Sequence, residues 1–382
     1  MTRLYIIRHA EAEGNLYRRC QGWYDSLITE RGYRQIAALE HRFESIPVDA
    51  VYSSDLLRTR ATAAAVYQPK GLPLQLDPGL REIHLGVWED RSWGDIAWAD
   101  PEGMRGFNAS AFTWSVEGGE TFRQVGKRVT DTVIKIAAAN PDKTVAIFSH
   151  GMAIRALQGT IMGLTVERWT GLGHGDNTCV TYLEVDGDQV NLLWRNDNSH
   201  LPEEISTLAK QGWWKAGSGA REDSNLRYEF LDMEHESEIY YEARKEAWLS
   251  IHHSIYNFDG DGFVREAREQ WRRNQRAIAC AYLGEELVGL IQMDTERYAA
   301  DGVGYIPFYY MTPESRKKGM GVQLLGQAVS TYRPLGRNRL RLRCAPDNYI
   351  AQRFYTRYGF SKIGEAQGTR VPLDILEKPI GL

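Results

Sequence analysis

In the first half of the chain, short apolar runs alternate with segments of helical period: LYIIR, TERGYRQIAALEHRF, VDAVYSS, SDLLRTRATAAAVY, and later RVTDTVIKIAAAN followed by KTVAIFSHG. Apolar runs that do not alternate with polar residues need cover on both faces, and amphipathic helices between them carry the chain back to begin each strand in the same direction. This pattern predicts an α/β three-layer sandwich with a mostly parallel sheet. The stretch TYLEVDGDQVNLLWR then reads as a hairpin turning at Asp186-Gly187.

Two of the apolar runs end in histidine. Leu4 to Ile7 leads into Arg8-His9, and Val145 to Phe148 leads into Ser149-His150-Gly151. In a parallel sheet both histidines fall at carboxyl ends of strands, where open α/β folds keep their ligand crevice. Arg58, on the first turns of a helix that Ser54 or Asp55 could cap, reaches the same edge. Phosphoryl transfer needs cationic groups for the equatorial oxygens, an in-line nucleophile and a proton for the departing oxygen. Arg8 and Arg58 offer bidentate donors, and the two imidazoles offer a nucleophile and a further donor. Glu82, in LREIHLGVWE, is the best candidate acid, because a bound phosphate would favour its protonated form. Glu11, Glu89 and Asp90 are nearby rivals, Glu11 and Glu13 read as loop or helix-start carboxylates, and His84 and His174 read as loop or surface residues.

At these residues the sequence resembles the histidine phosphatase (phosphoglycerate mutase-like) superfamily over about residues 1–200. RHAEAEGN matches its RHGETxxN signature, YDSLITERG its D-x-x-L-T-x-x-G segment, and SSDLLRTRATA its SDLxRAxxTA helix. LREIHLGVWE, EGGETFRQVGKRV and FSHG match its acid-bearing loop, its helix entry and its second-histidine strand. The resemblance implies His9 as nucleophile, Arg8, Asn15, Arg58, His150 and Gly151 around the phosphate, Glu82 as proton donor, and no metal. Ala10 stands where the family usually has glycine.

At 382 residues the chain suits about two domains. The connection is expected at 201–224, where PEEISTLAKQGWWKAGSGARED mixes glycine, serine and charge, between domains at 1–200 and 225–382. Trp213-Trp214 read as packing residues. In the second half, GYIPFYYMTPESRKKGMGVQLLGQAVSTY reads as strand, turn and helix. Its turn, Arg316-Lys317-Lys318-Gly319-Met320-Gly321, could aim successive N–H groups and a helix N-terminus at a pyrophosphate. RLRLRC follows, with Arg339, Arg341 and Arg343 on one strand face, which reads as a solvated face ahead of a second anion site. Pro307 within the preceding strand removes a ladder donor and suits a bulge or splayed pair. NFDGDGFV opens like a calcium loop, but its twelfth position is Arg268, so it reads as a helix start.

This pairing resembles the GNAT N-acetyltransferase superfamily over about 225–380, a mixed α/β fold. The R/Q-x-x-G-x-G/A signature falls on Arg316, Gly319 and Gly321, and Asn348, Ala351, Phe354-Tyr355 and Gly359-Phe360 match its N-x-x-A-x-x-F-Y-x-x-x-G-F segment. The resemblance implies acetyl-CoA as co-substrate, with its pyrophosphate on 316–321 and its acetyl end near Tyr310-Met311. It also implies Tyr355 as acid for the thiolate. The glutamate many relatives use as general base is missing; Tyr305, Tyr309, Tyr310, Asp294 and Glu296 are what this chain offers.

The expectation is a bifunctional enzyme: a histidine acid-type phosphatase acting on a small phosphomonoester, fused to an N-acetyltransferase acting on an amine. The segment 86–118 looks short for one that closes a mutase site, so hydrolysis is preferred to mutase-type transfer; a CoA-binding sensor without turnover is the alternative for the second half. A formal net charge of −4 gives no general attraction for nucleic acid or anionic membrane. No apolar run approaches the ~18 residues of a membrane span. Four scattered cysteines without a Cys-x-x-Cys predict reduced thiols and a cytoplasmic protein.

Overall fold

A computed structural model describes residues 1–187, 189–210, 224–368 and 371–382. The chain divides into two compact units, Met1–Arg91 with Ile96–Glu222, and Ser92–Asp95 with Asp223–Leu382. The expected Trp213-Trp214 packing and most of the expected connection lie outside the described residues.

The first half contains, in order, β1 (Thr2–Arg8), α1 (Glu13–Tyr17), α2 (Glu30–Phe43), β2 (Ala50–Ser53), α3 (Leu57–Tyr67), β3 (Leu74–Leu76), α4 (Trp93–Ala99) and α5 (Pro101–Asn108). It continues through α6 (Phe122–Ala138), β4 (Thr144–Ser149), α7 (Gly151–Ile161), β5 (Val180–Asp186), β6 (Gln189–Asp197) and α8 (Thr207–Lys210). Its sheet has the order β3-β2-β4-β1-β5-β6. The first four of these strands run parallel; β5 and β6, the hairpin read from the sequence, add an antiparallel edge, so the sheet is mixed. Every residue of β4 is buried, as a central strand covered on both faces requires. On one face Ile7, Val51 and Phe148 meet Leu39 and Phe43 of α2 and Ala63 and Val66 of α3. Helices α6 and α7 pack on each other and on β1 from the other side. Thr29 caps α2 by accepting from Gly32 N–H, and Thr121 forms a capping box with Gln124 at α6.

Helix α3 starts differently from expectation. Its Leu57 N–H donates to Asp25 from the preceding loop, while Asp55 pairs with Arg81 and Ser54 Oγ faces His150. Residues 201–210 fold onto this unit: Gln35 donates to the Ile205 carbonyl and to Thr207, Ser206 to Asp176, and Thr207 to Glu11.

The second half contains β7 (Arg227–Phe230), α9 (Ser237–His252), α10 (Gly260–Arg273), β8 (Ile278–Leu283), β9 (Glu286–Asp294), β10 (Val303–Met311), α11 (Val322–Tyr332), β11 (Arg339–Cys344), α12 (Tyr349–Arg357), β12 (Ser361–Ala366) and β13 (Leu373–Pro379). They form a mixed sheet of order β12-β13-β11-β10-β9-β8-β7. Among the described residues only β10 and β11 pair in parallel, over Val303–Ile306 against Arg339–Leu342; beyond Ile306 they part. The β9–β10 register shifts between Tyr305 and Phe308, around Pro307. One inserted residue reverses the alternation of side chains, so Tyr305, Phe308 and Tyr310 share a face. Phe308 and Tyr310 join Tyr240, Ala243 and Ala267 in the core under α9 and α10. Tyr309 turns to the opposite face, against Phe354 and Tyr355 of α12. Asp259 of the calcium-loop-like stretch caps α10 through Gly262 N–H.

Candidate functional site

Strands β1 and β4 are adjacent and in register, Arg8 opposite Ser149, so the residues that follow them emerge side by side. His9 and His150 have ring centroids 5.3 Å apart, and both are buried. His9 Nδ1 lies 2.7 Å from the Ala10 carbonyl, which can only accept. That contact puts the ring hydrogen on Nδ1 and leaves a lone pair on Nε2. Burial, together with the charges of Arg58 and Arg8, holds the imidazole well below its usual pKa and therefore neutral.

His150 stands at the N-terminal boundary of α7 in extended backbone, its side chain making no cap hydrogen bond. Its Nε2 is 2.9 Å from Ser54 Oγ, which already accepts from Leu56 N–H and so has its hydroxyl hydrogen to give. With that hydroxyl donating to Nε2, the His150 hydrogen sits on Nδ1, a buried atom without a partner among the described residues. Burial first, then Arg58, holds this ring neutral too.

The arginines are anchored by one end. Arg58 is fully buried; its Nη atoms donate to the carbonyls of Tyr24 and Gly22, at 2.9 and 2.6 Å, while its Nε has no partner among the described residues. Arg8 donates to the Gly175 carbonyl and likewise leaves Nε unpaired. A Cβ at Gly151 would come within 3.3 Å of Arg8 Nε, which is why glycine follows His150. Buried donors left unmatched cost stability unless a ligand completes them, so their gathering beside two histidines marks an anion pocket.

Glu82 lies on the loop after β3 and accepts from Met152 and Ala153 N–H at 3.1 and 2.8 Å, in the first turn of α7 beyond His150. Its backbone carbonyl accepts from Trp23 Nε1 and Arg128 Nη2. The rivals sit elsewhere: Glu89 accepts from Trp23 and Leu85 N–H, Asp90 pairs with Arg19, and buried Glu11 pairs with Arg31. Glu13 opens α1 and is buried. Asn15, also on α1, accepts from Ala12 N–H and lies 3.5 Å from Asn177 Nδ2. His84 packs edge-on to Trp23, and exposed His174 contacts Arg155.

Three residues at this pocket escape sequence reasoning. Asn177 is buried, donates to the His9 carbonyl at 2.9 Å and leaves Oδ1 unpaired among the described residues. Arg155, on α7, has a buried Nε without a partner among the described residues, and burial lowers its guanidinium to about 10. Arg128, on α6, pairs with Glu120 and donates to the carbonyls of Gly79, Arg81 and Glu82. Asn177 and Arg155 carry no spacing signal of their own; Arg128 lies within EGGETFRQVGKRV, midway along α6, where a charged residue beside Val125 and Val129 is the available hint.

In the second unit, Lys317 and Gly319 have φ of 64° and 81° in the turn before α11. The N–H groups of residues 317–322 donate no hydrogen bond among the described residues. Consecutive open donors at a helix start fit a pyrophosphate. The Arg316 side chain faces elsewhere, to the Met311 carbonyl and Glu246 of α9. Met320 is buried, and Lys317 and Lys318 are exposed. Asn348 caps α12 through Ala351 N–H. Tyr355 is buried among Tyr309, Phe354 and Phe360, and burial pushes its phenol far up, keeping it protonated. Tyr310 is also pushed up, by burial and by Glu246, a carboxylate that sequence reasoning did not single out. Glu296 pairs with Arg273, and Asp294 accepts from the Glu296 and Arg297 N–H groups.

The histidine phosphatase superfamily (branch 1) model matches residues 4–198, and the acetyltransferase (GNAT) family model matches 237–360. A probable phosphoglycerate mutase GpmB of Cronobacter sakazakii is 32% identical over 43% of this chain and 76% of its own length. A glucosyl-3-phosphoglycerate phosphatase of Mycobacterium tuberculosis is 31% identical over 54% of this chain and 97% of its own. The solved structure of Bacillus stearothermophilus YhfR superposes with a TM-score of 0.51 at 32% identity, covering 52% of this chain and 99% of that one. With its paired histidines on neighbouring strand ends and its second mixed sheet, the chain belongs to the histidine phosphatase superfamily in its first half and carries a GNAT acetyltransferase domain in its second.

Proposed function

We propose that the first half hydrolyses a phosphomonoester through a phosphohistidine and that the second transfers acetyl from acetyl-CoA to an amine. The observation that carries the first reading is the neutral His9 ring, its Nδ1 hydrogen committed to Ala10, beside unpaired donors on Arg8, Arg58 and His150. His9 Nε2 attacks phosphorus as the ester oxygen leaves; the departing alkoxide takes a proton from Glu82. Arg8, Arg58, His150 Nδ1 and Asn15 hold the equatorial oxygens. Glu82 then takes a proton from the water that attacks the phosphohistidine, and phosphate departs. The phosphatase among the relatives supports hydrolysis, and the short 86–118 segment, which holds only α4, α5 and a single turn, supports it further.

Acid-quenched turnover of a phosphomonoester should trap phosphate on His9, and His9→Ala should abolish both the trapped species and phosphate release. Undiminished release in that variant overturns the reading. The probable mutase among the relatives favours a second reading, in which phosphate returns to the substrate. Label exchange between two positions of one substrate, without net phosphate release, would establish it.

For the second half, residues 317–322 would hold the pyrophosphate of acetyl-CoA, which supplies the acetyl thioester. Tyr355, kept protonated by burial, would donate to the thiolate. Calorimetry of the full chain should detect acetyl-CoA, with affinity weakened in Gly321→Val, whose side chain would grow from a Cβ already 3.5 Å from Phe354. Unchanged affinity counts against this cradle.

A further inference from the structure

The alternating arginines of β11 are less solvated and less compensated than a plain strand face. Arg339 and Arg341 share one carboxylate, buried Glu377, at 3.4 and 2.6 Å. Arg343 has no ion pair among the described residues; its Nη2 donates to Tyr298 Oη at 3.2 Å, and its guanidinium lies 6.0 Å from the Tyr305 ring. Arg297 also has none, and stacks over Tyr298 and Tyr305 at 5.6 and 5.0 Å. Arg341 lies 4.5 Å over Tyr298. The tyrosine rings meet edge-on at 5.4 Å, and Tyr298 is held there in left-handed backbone at φ 63°.

Glu377 is taken by Arg339 and Arg341, and no carboxylate pairs with Arg343 or Arg297 among the described residues. Asp294 accepts backbone N–H groups, Glu296 is taken by Arg273, and Glu266 of α10 acts on Tyr305 only through its charge. Burial pushes the Tyr298 phenol up, yet its bond to Arg343 and the charges of Arg343 and Arg297 outweigh this and leave it below its ordinary value. The site therefore favours negative charge.

Its place in the fold gives it a role. Tyr305 sits opposite Arg341 in the last paired stretch of β10 and β11, and Arg343 lies just past Leu342, where the strands have parted. The inserted residue at Pro307 keeps Tyr305 on the face of α9 and α10, opposite to Tyr309 and the α12 aromatics. An acceptor approaching from the α9 and α10 face meets the guanidiniums as it reaches the parted strands.

We infer that the acetyl acceptor is an amine bearing an oxyanion, phosphate or carboxylate, which Arg343, Arg297 and Arg341 grip beside the Tyr298–Tyr305 pair at the opening between β10 and β11. This rests on the acetyltransferase reading for its chemistry and on the arginine cluster for its charge. Planar guanidiniums on aromatic supports suit bidentate recognition of either oxyanion.

The test uses the full chain and amines of matched length ending in a hydroxyl, a carboxylate or a phosphate: ethanolamine, β-alanine and phosphoethanolamine. Thiol release from acetyl-CoA gives kcat/KM, and calorimetry on the CoA-loaded protein gives affinity. At least one anionic amine should exceed ethanolamine by about tenfold or more, and the better anion identifies the source. Arg343→Gln should remove most of that preference with CoA affinity unchanged, which also reports an intact fold; Arg343→Lys should restore part of it. Equal use of the charged and neutral amines, or a preference untouched by both Arg343→Gln and Arg297→Gln, overturns the inference while leaving acetyl transfer standing. Anion binding lost in Arg343→Gln without acetylation of any amine sustains the anion site and overturns the transfer reading instead.

Discussion

Gly151 shows how closely one atom is accommodated at the phosphate pocket. Backbone conformation does not demand glycine here, since its φ lies outside the left-handed region. Proximity does: a methyl group would stand 3.3 Å from Arg8 Nε and 3.4 Å from Cζ, against a guanidinium already tied to the Gly175 carbonyl. Arg8 would have to shift by a few tenths of an ångström, enough to misalign a charge-assisted bond. Gly151→Ala should therefore weaken vanadate binding and lower kcat/KM by about tenfold, roughly 1.4 kcal/mol. The variant should keep wild-type thermal stability, because the crowded side is a ligand pocket. Vanadate titration and melting curves check both halves of this; unchanged vanadate affinity would show that Arg8 moves freely.

Among the elements, α6 acts at a distance through Arg128. Its guanidinium binds Glu120 through two nitrogens, at 2.8 and 2.6 Å, and spends the remaining donors on three carbonyls of the loop that carries Glu82. Glu120 meanwhile accepts from His84 N–H at 2.9 Å. The clamp spans the loop from Gly79 to His84, so Arg128 is a positioning residue for the carboxylate that we assign as proton donor. Arg128→Ala takes the guanidinium donor from the Gly79 and Arg81 carbonyls and the counter-charge from Glu120, each worth about 1–3 kcal/mol. The expected result is a fall of at least about tenfold in kcat with a much smaller change in KM, since the Arg8 and Arg58 donors stay in place. A substrate with a good leaving group, such as a nitrophenyl ester, should lose far less, because it needs little proton donation. A purely structural role for Arg128 would lower both substrates equally.

For the whole molecule, two kinds of information were separately legible. The strand and helix alternation carried the first half's α/β class, the 316–321 and 348–360 motifs carried the second half's, and the pairing of His9 with His150 followed from strand ends, because parallel neighbours bring their carboxyl ends together. What period and motif could not carry was long-range hydrogen bonding: Asp25 capping α3, Asn177 on the His9 carbonyl, and Glu246 on Arg316 join residues without any fixed spacing. Acid sensitivity should divide by unit for a related reason. His9 and His150 are held neutral by burial in the first unit, and His200 is lowered to about 4 by burial and Arg42. Their folded pKa values lie below the unfolded ~6.5, so the stabilising difference is complete above that pH and is lost as pH falls beneath it, by up to about 1.4 kcal/mol per pH unit for each ring. Between pH 7.5 and 5.5 calorimetric scans should show the first unit's transition moving down well ahead of the second's; equal shifts would contradict it. The same hydrogen bonds argue for where the phosphatase half ends. Residues 205–208 lie past β6, yet they satisfy Gln35, Glu11 and Asp176, and Asp176 precedes Asn177 at the pocket. A chain ending at 200 takes from the Gln35 amide both of its acceptors and from Glu11 and Asp176 the hydroxyl donors of Thr207 and Ser206, whereas one ending at 210 keeps them. We expect the shorter piece to melt several degrees lower, at about 1–3 kcal/mol for each unsatisfied buried group, and to lose phosphatase activity that the longer piece retains. Equal stability and activity of the two would place the domain's edge at 200.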